Sequence, residues 1–192
     1  DKRLRHYFSY GYFLREDSPF DGVENLEPGS YIEGSIHNPC DFRVKSYWDL
    51  PHEAEPERSE ADWFEELQHT LKEAVNLHMR SDVPYGAFLS GGIDSSIVVA
   101  LMSELSRSPI DTFTIDFDER RVSESRYAKE IATKYRTNHT EIKVKPASLD
   151  LIPKLAEMMD EPFADCSVLP SYIVSKEASR FVKVILSGDG GD

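Results

Sequence analysis

The 192 residues are 40% hydrophobic and carry a formal net charge of −13, enough chain to bury one substantial core and a smaller piece. The negative balance argues against a nucleic-acid surface, which needs clustered Lys and Arg, and no apolar run approaches the roughly 20 residues of a membrane helix. Cys40 and Cys166 stand in no metal-type spacing and read as two reduced thiols of a cytoplasmic protein.

Residues 1–50 differ from the rest. Tyr7, Phe8, Tyr10, Tyr12 and Phe13 crowd the start, and turn signals follow at Pro19, Asp21-Gly22 and Pro28-Gly29. Tyr31-Ile32 and Phe42-Arg43-Val44 flank a polar stretch from Gly34 to Asp41, which predicts a hairpin. This segment is too small to be a domain alone. Residues 51–61 are acidic, bear prolines and lack periodicity, so they read as a linker. From Asp62 to Arg80, the residues Phe64, Leu67, Leu71, Ala74, Val75 and His78 share one helical face, with acids near the start as the helix dipole prefers. His69 and His78 have no partner at metal spacing and are helix-face residues.

Alternation then begins. Apolar strands are predicted over 83–89, 110–117, 140–144 and 181–186, and helices over 94–106, 123–135, 149–159 and 169–180. Repeated strand-then-helix units imply an α/β fold with a parallel sheet covered on both faces. Ligands in such sheets sit beyond the carboxyl ends of the strands.

Two glycine turns fall at that edge. The first, Ser90-Gly91-Gly92-Ile93-Asp94-Ser95-Ser96, joins the first strand to a helix, so its backbone can turn tightly and its hydroxyls and first-turn N–H groups can hold a polyphosphate. Asp94 would be repelled by phosphates without a cation between them, and Mg²⁺ is held by one or two carboxylates with phosphate oxygens. No Lys follows the glycines, so this is not the G-x-x-x-x-G-K-[ST] loop. The second, Ser187-Gly188-Asp189-Gly190-Gly191-Asp192, follows the last strand and brings further carboxylates.

S-G-G-x-D-S-S after an apolar strand resembles the pyrophosphate loop (PP-loop) of the ATP pyrophosphatases, a Rossmann-like fold shared by asparagine, GMP and NAD synthetases. The second loop is similar to S-G-[DE]-G-x-D of glutamine-dependent asparagine synthetases, and Asp160-Glu161-Pro162 through Asp165-Cys166-Ser167 resembles D-E-P-x-x-D-x-S of bacterial members. The resemblance implies that Leu89, Ser90, Gly91, Gly92, Asp94, Ser95, Ser96, Ile115, Ser187 and Gly188 contact ATP. Asp94 and Asp192 would share Mg²⁺ as catalytic residues, and 160–167 would wall the acceptor pocket. Segments Phe8 to Tyr12, Phe20 to Val23, Leu26 to Tyr31 and Tyr47 to Leu50 look like the end of a class II glutaminase domain, whose catalytic residues would precede Asp1.

The expectation is therefore a fragment, cut at both ends. Residues 1–50 would be the glutaminase tail, 51–61 the linker, and 62–192 the front of the synthetase domain. The implied activity is an AMP-forming ligase that converts aspartate to asparagine through β-aspartyl-AMP, with ammonia from glutamine. The implied ligands are ATP, Mg²⁺, aspartate and glutamine, with neither nucleic acid nor membrane as partner; the oligomeric state stays open, a homodimer included. Two alternatives remain: a related amidotransferase for another carboxylate, and a non-catalytic nucleotide-binding regulatory module. An intact pair of Asp94 and Asp192 speaks against the second.

Overall fold

The computed structural model describes residues 2–14, 18–51, 58–117, 125–144 and 150–190. The chain divides into two compact units, one of residues 1–57 with 154–165 and one of 58–153 with 166–192.

In the first unit, helix α1 (Lys2–Tyr10) precedes an antiparallel hairpin of β1 (Ser30–Ser35) and β2 (Asn38–Ser46). The helix replaces the unassigned aromatic stretch of the sequence. Tyr7 stacks on Phe13 with ring centroids 5.3 Å apart, and Phe13 is buried. Arg3 donates to the Ser18 carbonyl at 3.1 Å and pairs with Asp21 at 3.0 Å. The hairpin turn is tighter than the expected Gly34 to Asp41 loop. Strand pairing continues to Ser35 and Asn38, leaving Ile36 and His37 at the turn, with a register irregularity at Gly34 and Ser35. Asn38 and Asp41 read as loop residues, yet on an open two-stranded ribbon composition constrains little.

The second unit holds a four-stranded parallel sheet in the order β5-β4-β3-β6, built from β3 (Tyr85–Phe88), β4 (Asp111–Phe117), β5 (Asn138–Val144) and β6 (Val184–Leu186). Helices α2 (Glu60–His78), α3 (Ile93–Leu105) and α4 (Ser125–Tyr135) alternate with the first three of these strands, and α5 (Ile152–Met158) and α6 (Val168–Ala178) both come between β5 and β6 in the sequence. Helix α2 opens within the stretch read as linker, because Ser59 and Asp62 form a capping box; each accepts from the other's backbone N–H, satisfying two donors that the helix start leaves free.

Because side chains alternate along a strand, the sheet carries two cores. Ala87, Leu89, Ile110 and Leu186 face Val99 and Met102 of α3, Ala128 and Ala132 of α4, and Val75 of α2. Phe113, Ile142 and Val182 face Val174 and Ala178 of α6. This is the parallel sheet flanked on both faces that the alternation implies. The strands are shorter than their apolar runs at 83–89 and 181–186, since Pro84 and Phe181 lie before the ladder begins. Only the second half of α2 joins the core: Val75 is buried, while Phe64 and Leu67 are 67% and 56% exposed. His78 turns its Nδ1 to the Ala74 carbonyl at 2.8 Å, a helix-face role.

Candidate active site

Strands β3 and β6 are neighbours in the sheet although they lie far apart in sequence. Their carboxyl ends therefore deliver both glycine turns to one place. A cavity of about 700 Å³ opens there, lined by Leu89, Ser90, Gly92, Asp94 and Ser95 from the first turn and Ser187, Gly188, Asp189 and Gly190 from the second. Phe113, Thr114, Ile115 and Phe117 of β4 and Ser167, Pro170, Ser171 and Val174 of the α6 region complete the wall. The volume falls within the range of small-molecule and cofactor pockets.

The first turn is fixed by its own serines. Ser90 and Ser95 hydroxyls lie 2.9 Å apart, the Ser90 N–H donates to Ser95 Oγ at 3.3 Å, and the Gly92 N–H donates to Ser90 Oγ at 3.2 Å. Ser95 is buried. Gly92 is the N-cap of α3 and, having no side chain, offers no cap bond. The first-turn N–H groups are thus left to a ligand, with the positive end of the helix dipole behind them. Asp94 sits in that first turn.

The two adjacent glycines serve different ends. Gly91 has φ +87°, a left-handed backbone, and a Cβ there would lie 2.6 Å from the Ala128 N and from Tyr127 Cβ. It lets the loop bend and rest on α4, and it does not line the cavity. Gly188 packs the second turn onto the first: a Cβ would lie 2.5 Å from the Ser95 N and 2.9 Å from the Asp94 carbonyl carbon.

Of the predicted ATP-contacting residues, Leu89, Ser90, Gly92, Asp94, Ser95, Ile115, Ser187 and Gly188 are brought together around one cavity. Gly91 stands behind it. Ser96 does not line it either; its Oγ is buried without a hydrogen-bond partner. Asp192 lies outside the described residues. Ser167, the last residue of the stretch expected to wall the acceptor pocket, lines the cavity too, whereas the aromatic wall of Phe88, Phe113 and Phe117 and the hydroxyl of Ser171 were missed. Their only sequence signal is position: β4 ends beside the first turn, and α6 crosses the same sheet edge.

Among the described residues no group of three or more His, Cys, Asp or Glu is placed to hold a metal. A magnesium site needs less. Asp94 and Asp189 both line the cavity with Ser90 and Ser95, a hard oxygen set that suits Mg²⁺ when phosphate oxygens and water complete the shell.

A family model described as asparagine synthase matches residues 66–192. The chain belongs to the asparagine synthase family. Its relatives include a putative glutamine-hydrolyzing asparagine synthetase 2 of Methanocaldococcus jannaschii, 39% identical over 188 residues, which cover 97% of this chain and 36% of that protein. Glutamine-hydrolyzing asparagine synthetase 1 of Bacillus subtilis is 37% identical over 192 residues, covering 98% of this chain and 29% of the relative. The chain therefore spans about a third of the length of these family members. Among solved structures, NMN synthetase from Francisella tularensis superposes with a TM-score of 0.43 at 15% identity over 67% of this chain and 54% of that one, too loose a likeness to carry an argument about function. No helix among the described residues is long and apolar enough to cross a membrane.

Proposed function

We propose that this chain forms the ATP-binding part of a glutamine-dependent asparagine synthetase, in which residues 1–50 end the glutaminase domain, 51–61 link, and 62–192 begin the synthetase domain. The observation that carries the reading is the meeting of both glycine turns on one cavity beside Asp94, in a member of the asparagine synthase family.

The pyrophosphate of ATP would lie against Ser90, Gly92, Ser95 and the first-turn N–H groups of α3, with the base toward Ile115 and the aromatic wall. An aspartate β-carboxylate oxygen then attacks the α-phosphorus. The bond to the bridging oxygen breaks, pyrophosphate leaves, and β-aspartyl-AMP forms. Ammonia adds to the acyl carbon, loses a proton and displaces AMP, giving asparagine. Fixed donors aimed at the leaving pyrophosphate stabilise charge as it develops, and being already oriented they lose nothing to reorganisation. Asp94, with Asp192, would hold Mg²⁺, which neutralises charge on the phosphates.

The test uses the full-length protein with ATP, Mg²⁺ and ammonia, with and without aspartate. AMP, pyrophosphate and asparagine appearing only with aspartate is the expected result. AMP without asparagine would move the acceptor to another carboxylate, and ADP or no turnover would overturn the mechanism.

A further inference from the structure

The sheet has a second cavity, of about 490 Å³, at the opposite edge from the first. It is lined by Lys129, Ala132, Thr133 and Arg136 of α4 and its C-terminal exit, and by Thr137, His139 and Glu141 at the amino half of β5. The helix residues recur at three- and four-residue spacing and the strand residues at every second position, so one stripe of α4 faces one side of β5. On the other side of β5, Ile142 packs against the α6 layer. The α4 side is polar where closure over an edge strand would favour apolar residues.

The polar groups there are unevenly paired. Lys129 Nζ lies 3.6 Å from Glu141 Oε1, with the lysine side chain 70% exposed and the glutamate 33%. The guanidinium of Arg136 has no hydrogen-bond or ion-pair partner among the described residues. Arg136 is also the only non-glycine residue with positive φ, +54°, among those described. Its N–H donates to the Thr133 carbonyl at 3.3 Å, and the Thr137 N–H donates to the Ala132 carbonyl at 3.0 Å. These bonds hold the left-handed turn that sets the guanidinium at the cavity. Thr112 Oγ1 sits between Thr137 Oγ1 at 2.7 Å and His139 Nδ1 at 2.9 Å, while His139 Nε2 is buried with no partner.

Two cations and one carboxylate select a ligand by elimination. A cation alone meets a surplus positive charge. A phosphate or simple carboxylate meets Glu141 in the wall, and like charges at short range repel. A small molecule carrying both a carboxylate and an ammonium satisfies all three. We propose that this cavity binds the backbone groups of a free α-amino acid, with Arg136 and Lys129 holding the carboxylate and Glu141 the ammonium. An arginine fork suits a carboxylate, and the exposed Lys129 side chain has room to turn from Glu141 to the ligand. The site lies at the amino half of β5 and shares no lining residue with the first cavity.

The test is an NMR titration of the labelled full-length protein, with glycine as probe and acetate and inorganic phosphate as comparisons. Saturable shifts confined to amides of residues 129–141 are expected, with a Kd of roughly 1 mM for so few contacts. Arg136→Gly removes the guanidinium and relieves the left-handed backbone, so the fold is kept while glycine binding weakens about 10-fold or more. Glu141→Gln should weaken glycine and leave acetate no weaker. Absence of saturable shifts at these residues would overturn the site. Acetate or phosphate binding as tightly as glycine, with Glu141→Gln without effect on glycine, would overturn the amino-acid assignment.

Discussion

Replacing Gly188 by alanine isolates the contact that joins the two glycine turns. The added Cβ would stand 2.5 Å from the Ser95 N and 2.9 Å from the Asp94 carbonyl carbon. Ordinary contact begins near 3.4 Å, so one turn must retreat from the other by about 0.9 Å. Both neighbours are backbone in the first turn of α3, so no flexible side chain can absorb the overlap. Forcing a methyl into such a contact costs about 1–3 kcal/mol. The retreat also shifts the N–H groups that would face pyrophosphate, and a displacement of ~1 Å at a reacting centre can cost 100-fold in rate. Gly190 is the control: it has φ +85° but nothing within 4 Å of a Cβ, so Gly190→Ala costs only left-handed strain, about 1–2 kcal/mol. Urea midpoints with ATP affinity and ammonia-dependent turnover of the full-length protein separate the two effects. Gly188→Ala should lose affinity and turnover well beyond Gly190→Ala at similar stability. Equal activity in both variants would refute the coupling of the turns.

Three further outcomes follow from the same geometry. Asp94→Asn keeps the size of a residue in the α3 first turn but removes the carboxylate of the proposed magnesium site; turnover should fall by at least 100-fold with the urea midpoint nearly unchanged, and unchanged AMP formation would remove Asp94 from the mechanism. Ser95→Ala deletes the buried hydroxyl beside both Ser90 and Gly92, so a stability loss of about 1 kcal/mol and weaker ATP binding are expected in calorimetry. His139 is held below its ordinary pKa of 6.5, first by burial and also by Lys129, with Glu141 opposing. As pH falls below 6.5 the unfolded chain takes the proton first, so stability is full above that pH and declines toward the lowered folded value. Urea midpoints across this window should drop less in His139→Gln than in the parent; identical slopes would contradict the burial argument.

The regular part of the fold was legible because parallel strands buried on both faces write themselves as near-continuous runs of apolar and β-branched residues, as at Ala87 to Leu89 and Thr112 to Ile115. The turn at Ser90 to Ser96 was legible for a different reason: glycine, serine and aspartate in that order have few uses other than a cradle at a helix start. What sequence concealed was which side of each element is covered. Ile93 and Ile97 fit the spacing of an apolar face, yet they are 78% and 38% exposed, and the buried stripe of α3 is Ser95, Val99 and Met102. Spacing fixes a periodicity but not its phase when apolar residues run without a break from Ile97 to Met102. Helix α1 was hidden by aromatics that suit a strand equally well, and the polar seam of Thr112, Thr137 and His139 has no local signature, because it exists only once β4 and β5 pair.

Strand β6 has only three residues, Val184 to Leu186, and it closes one end of the sheet order. Among the described residues its partner lies on one side only, which leaves the outer rim of an all-apolar strand without a ladder neighbour. Such a rim is a template for any extended segment that comes near. Purified by themselves, these 192 residues would be prone to assemble rim to rim, and the size distribution of the preparation would grow with concentration. A single proline in place of Ile185 would cap the rim only by sacrificing a backbone donor, whereas a lysine at Lys183, already present at the approach to the strand, is the kind of charge that keeps such rims apart.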